Sequence, residues 1–324
     1  MFSELIIMYL FLGGTGAGCC LVASVLGLLA DPEEVRTVLG LHMRSSQGCV
    51  WKRFFAALYL AALSALLLGA VCLMADTGRP DRILLLLTHP APTYIAFGAW
   101  AIIACVLFAG IRLLIWSGVL PASSWMATAL DALCIIASMA VIVYTGLMLS
   151  DVQAVPLWHT PWLVLLFALS GLSCGIALVL IASFASRTME LFASTLVRLV
   201  KIDAFVIVLE AVVSIFCLLS VWDTAGGLAD PIGSTAQIAR TSLESLLVGP
   251  FAVLFWTGFV FVGLAVPFVQ DVIIGHTAQK PVAAGRMNRR VLFMLGTATC
   301  VLIGGFILRF LVVDAAMHPA LLIS

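Results

Sequence analysis

Four charges fall within seven residues at Asp76-Thr-Gly-Arg79-Pro-Asp81-Arg82, in a 324-residue chain that is 63% hydrophobic and holds only 16 basic and 16 acidic side chains. Gly78 permits a tight turn, and Pro80 fixes φ and supplies no N–H, so the charges are held in a defined shape. A second set of polar and small residues opens the chain: Glu4, Tyr9, Gly13, Gly14 and Thr15. A third follows at Tyr144-Thr145-Gly146, Asp151, Gln153, Trp158 and His159. Phenols, carboxylates and an imidazole beside an apolar throat suit a quinone. Its ring is flat and apolar, its two carbonyls need donors, and its electrons move with protons. Tyr and Trp also anchor helices at membrane interfaces, and that plainer role competes for Tyr9 and Trp158.

A further set lies in the apolar runs themselves, where ionisable residues are rare and are functional candidates by default. Asp131, Asp203, Glu210, Arg309 and Asp314 belong to it. Asp203, Ile207, Glu210 and Ser214 line one face of a helix, with Glu210 about 17 Å in from one end at 1.5 Å per residue. Asp131, Asp203 and Glu210 could form a proton path; a buried Glu hydrogen-bonded to a neighbouring helix is the alternative, and both stay open. Arg309 and Asp314 are expected near a span end, where long side chains snorkel. The nine cysteines form no C-x-x-C pattern, which argues against zinc and iron–sulfur sites. The five histidines fall outside the apolar runs or at their ends, so no pair could hold a haem between helices. The expectation is a chain with no haem, no iron–sulfur cluster and no metal of its own.

The elements that position these residues are read from hydropathy. A mean hydropathy of +1.21 and runs of about 20 apolar residues predict an all-α polytopic membrane protein. The eight spans expected are 5–30, 54–75, 93–115, 125–149, 161–184, 199–222, 245–269 and 291–314. The connections leave no room for a soluble domain, and the first span, lacking a basic leader, is expected to be retained. Zero net charge gives no electrostatic case for nucleic acid.

Loops after spans 1, 3, 5 and 7 carry twelve Lys and Arg, among them Arg112, against four on the other side. Positive residues favour the cytoplasm, so both termini and the Asp76–Arg82 turn are expected outside, in a bacterial cytoplasmic (inner) membrane. Gly14 and Gly18 recur as Gly171 and Gly175 at an offset of 157, and Gly146 recurs as Gly305 at 159. With four spans per half, this predicts two four-helix bundles, residues 1–155 and 156–324, packed through small residues. A secondary transporter is the alternative, since such proteins use repeats and broken helices. Its prolines should then match between halves, and Pro250 and Pro267 have no partners in span 3.

The stretches YLFLGGTGAG, ADTGRPDR, YTGLMLSDVQAVPLWHTP and LFALSGLSCG resemble the NrfD family, the polysulfide reductase membrane subunit and its relatives. The resemblance implies two four-helix bundles without haem or metal, and a quinone pocket near the outer face of the first. Menaquinone or ubiquinone would be the bound substrate. It also implies electron exchange with a four-cluster ferredoxin-like iron–sulfur subunit, and assembly with a molybdopterin catalytic subunit or a cytochrome. The chain would then be the quinone-reactive membrane subunit of an oxidoreductase. Tyr144 matches the family's fourth-span Tyr at the quinone, and Asp76 with Arg79 matches the turn beside it. Tyr9, Gly13, Gly14, Thr15 and Trp158 would complete the pocket. Some relatives place Asn or His in span 1, where this chain has Glu4, Tyr9 and Thr15. His159 stands where relatives often have Asn and could shuttle protons.

Overall fold

A computed structural model describes residues 4–29, 46–77, 93–152, 155–227, 233–277 and 284–322. These are helical, with no strand among them, as expected where no water is present to satisfy free backbone groups. In chain order the helices are α1 Glu4–Leu29, α2 Ser46–Thr77, α3 Tyr94–Trp116, α4 Ser124–Ser150, α5 Pro161–Ala185, α6 Ala193–Thr224, α7 Ser234–Leu247, a π-helix Leu254–Ala265 running into α8 Val266–Thr277, and α9 Ala284–Leu322. Eight spans among the described residues are long and apolar enough to cross a membrane.

Local signals set several ends. Thr93 caps α3 by accepting the Ala96 N–H at 3.3 Å, and Pro161 opens α5 at a position where its missing N–H costs nothing. Seven of the expected spans agree closely with these helices; the remaining one does not. Span 7 runs over Leu254–His276, not 245–269. The apolar residues Leu246 and Leu247 belong instead to the short α7, which buries Ala239, Leu243 and Leu246. The span itself begins π-wound and reverts to α-helix beside Pro267, which has no N–H to donate. Long π-helical stretches are rare and gather at functional positions.

Helix α1 is the axis of the packing. It rests on α2, α4 and α5 and also touches α9, and 78% of its most apolar window is buried, against 33% for the peripheral α3. Small residues allow this: a Cβ at Gly18 or Gly175 would overlap the backbone of the facing helix. The glycines related by the 157 offset are therefore in contact, α1 against α5. Gly263 and Gly304 join the π-helix to α9 in the same way.

Two arginines depart from expectation. Arg112 is not in a loop; it lies within α3 and is 1% exposed. Arg309 does not snorkel to an interface, since it is 0% exposed. Its Nε donates to the Leu10 carbonyl at 3.2 Å, and Nη1 donates to the Gly305 carbonyl at 2.7 Å and to Ser170 Oγ at 3.1 Å. The guanidinium also lies over the rings of Phe11 and Phe167. It thereby ties α1, α5 and α9 together, which a cation at a lipid-facing span end could not do.

Candidate functional site

Tyr9 of α1 and Tyr144 of α4 are each 1% exposed, and their phenols face one another. The Tyr144 O–H donates to Met148 Sδ at 3.3 Å. The Tyr9 hydroxyl makes no hydrogen bond of good geometry, its polar neighbour being the Tyr144 hydroxyl, and a buried donor so placed asks for a better partner. Glycine makes the room. A Cβ at Gly98 of α3 would fall inside the Tyr144 ring, and one at Gly13 would lie 3.5 Å from the Tyr9 ring. Gly98 carries no sign of this role in its sequence context. It becomes legible only when α3 and α4 are seen packed side by side.

The other expected site residues distribute as follows. Gly14 faces the Arg309 guanidinium rather than the tyrosines, a Cβ there lying 3.1 Å from Nη2. Thr15 is 3% exposed, with its hydroxyl unpartnered. Asp76 closes the last turn of α2 and is half-buried. Arg79 lies outside the described residues. Trp158 is 1% exposed and donates its indole N–H to the Val312 carbonyl at 2.7 Å, so it pins the α4–α5 connection to α9. His159 beside it is exposed, its Nδ1 3.0 Å from the Ser150 carbonyl.

The three acids of the expected proton path separate into two places. Asp131 pairs with Arg112 (Nε–Oδ1 2.7 Å, and Nη2 to Oδ2 at 2.7 Å) and accepts the Tyr59 O–H at 3.0 Å. Ser24 lies 3.0 Å from that same Tyr59 oxygen. Gly27 leaves space for the pair, since a Cβ there would sit 2.9 Å from Asp131 Oδ2. Asp203 and Glu210 instead share α6, 1% and 5% exposed, away from that network. No ion pair to either occurs among the described residues.

A separate cavity of about 620 Å³ lies near the other end of α1 from Tyr9, between α1, α2, α5 and α6. Leu21, Trp51, Phe54 and Phe192 line it, with Thr195 and Arg198 as its polar groups. Among the described residues no three His, Cys, Asp or Glu side chains gather as a metal site would require.

The model of the NrfD family, described as polysulphide reductase, NrfD, matches residues 1–319. The chain belongs to the NrfD family. It is also 30% identical over 190 residues to a polysulfide reductase subunit of Wolinella succinogenes, a match covering 59% of this chain and 54% of that protein. The chain thus spans about half the length of the curated relative it matches. With the eight apolar helices, family membership makes this NrfD protein a multi-pass integral membrane protein.

Proposed function

We propose that this NrfD chain is the quinone-reactive membrane subunit of an oxidoreductase complex, with the quinone taken up beside Tyr9 and Tyr144. The observation that carries the reading is the buried Tyr9 hydroxyl, without a hydrogen bond of good geometry, facing Tyr144 where Gly13 and Gly98 make room for the two rings. A quinone carbonyl or quinol hydroxyl would supply the hydrogen-bond partner that the Tyr9 O–H lacks. The substrate is of the menaquinone or ubiquinone type, reached from the lipid. When quinol is oxidised, each of its two O–H bonds gives a proton and the ring gives two electrons. Asp76, at the end of α2, is the proton acceptor, and the exposed His159 passes protons to water. The reverse sequence serves quinone reduction.

The electrons go to or come from a partner, since the family resemblance places no redox group on this chain. A four-cluster ferredoxin-like iron–sulfur subunit docked over the Asp76–Arg82 turn fits that role. A molybdopterin subunit or a cytochrome would carry the terminal chemistry. The same reading places the helices as two four-helix bundles, 1–155 and 156–324, in a bacterial cytoplasmic membrane with both termini outside. In support, basic residues cluster after spans 1, 5 and 7.

One observation favours a second location: the aromatic-lined cavity by Trp51 and Phe192 has the volume and apolar lining of a ligand pocket. Quinol turnover by the intact complex separates the two. Tyr144→Phe or Asp76→Asn should lower turnover by about 10²-fold or more if these groups donate or accept protons in the reaction. Unchanged turnover in both variants rejects the Tyr9–Tyr144 site.

A further inference from the structure

Asp271 of α8 is 1% exposed, and neither of its carboxylate oxygens has a hydrogen-bond partner. It borders a cavity of about 260 Å³ lined by Lys201, Ala204, Val272, Gly275 and His276. This cavity lies toward the end of the protein where the basic loops emerge. Gln270, next in the chain, accepts the Thr297 O–H at 2.8 Å and so helps fix α8 against α9. Asp203 precedes Ala204, which lines this cavity with Asp271 where α6 packs on α8, and its Oδ1 is also without a partner.

From Asp203 the polar groups continue inward. The Ser173 hydroxyl of α5 lies beside Asp203 without forming a hydrogen bond of good geometry. Ser170, one turn away on α5, faces Glu210 while accepting from Arg309 Nη1. The series ends at Arg309, whose guanidinium does not release a proton.

We infer that Asp271 and Asp203 form a proton-loading site, filled from water in the Lys201–His276 cavity and emptied inward to Glu210. A proton from cavity water forms an O–H bond on Asp271. Asp271 passes it to the Asp203 carboxylate and is left ionised, ready to reload. Asp203 and Glu210 lie seven residues apart on α6, roughly 10 Å along the axis. The Ser173 hydroxyl, which can accept and donate at once, stands beside that interval. Only O–H bonds form and break, and no electrons move. A metal cation is the weaker occupant, since two carboxylates supply too few oxygens and the Lys201 ammonium borders the same cavity.

Loading requires no quinone; only the use of the proton rests on the function proposed above. The test is therefore made on the intact complex in liposomes with two readouts. Without turnover, dicyclohexylcarbodiimide, which reacts with protonated buried carboxyls, should modify Asp271 or Asp203, as found by peptide mass spectrometry. During quinone turnover, Asp271→Asn should slow proton uptake from the basic-loop side by about tenfold or more, and Asp271→Glu should restore it. An unmodified Asp271 and Asp203 in the wild-type complex overturns the inference, as does uptake in Asp271→Asn equal to wild type. If the wild-type complex shows no quinone turnover, the quinone reading is what fails, and the modification result alone decides the loading site.

Discussion

Asp131 in α4 and Asp271 in α8 are both buried acids toward the basic-loop end, one among the first four spans and one among the last four. Asp131 is closed in by the Arg112 guanidinium, the Tyr59 hydroxyl and, behind it, Ser24. Asp271 faces a cavity with neither oxygen bonded. The sequence relates the two positions. At the offset of 159 that pairs Gly146 with Gly305, Arg112 falls on Asp271 and Asp131 on Arg290, so the charges are exchanged between halves. A paired and hydrogen-bonded charge holds helices together, and an unpaired acid by water is suited to exchange protons. On the proposal above, the first cluster is structural and the second takes up protons.

The largest expected effect is on the closed cluster. Arg112→Met leaves the Asp131 charge buried without its cation, a loss of about 3–5 kcal/mol for a buried pair broken on one side. Thermal or denaturant unfolding of the detergent-purified complex would show it, and adding Asp131→Leu should recover most of the loss. Loss of stability no greater in Arg112→Met than in the double variant would break the comparison. The smallest effect is expected from Asp203→Asn. It removes an acid with no cation bonded to it, so stability should change by less than about 1 kcal/mol in either direction. A loss as large as that of Arg112→Met would mean that Asp203 is structural too.

Most of the fold was legible because a membrane imposes length and apolarity on each span, and both can be read along the chain. That Gly14, Gly18, Gly171 and Gly175 pack helices closely was legible from their four-residue spacing, but that the two pairs meet each other, α1 against α5, was not. Arg112 and Arg309 were not. A cation near a span end reads as a loop or a snorkelling residue, and what buries it lies on other helices: Asp131 is 19 positions from Arg112, and Leu10 is 299 from Arg309. Asp271 was hidden by the shifted seventh span, whose hydropathic window took in the end of α7. Of the site, Tyr9 and Tyr144 could be proposed from type and position, but the space that Gly98 gives Tyr144 exists only between helices.

The central claim is that quinone is held beside Tyr9 and Tyr144. A photoreactive menaquinone analogue, irradiated in the intact complex and mapped by peptide mass spectrometry, addresses it most directly. The account predicts label on α1 around Tyr9 and on α4 around Tyr144, displaced by excess unlabelled quinone. Displaceable label confined to Trp51, Phe54 and Phe192 would contradict it and place the quinone in the cavity near the other end of α1.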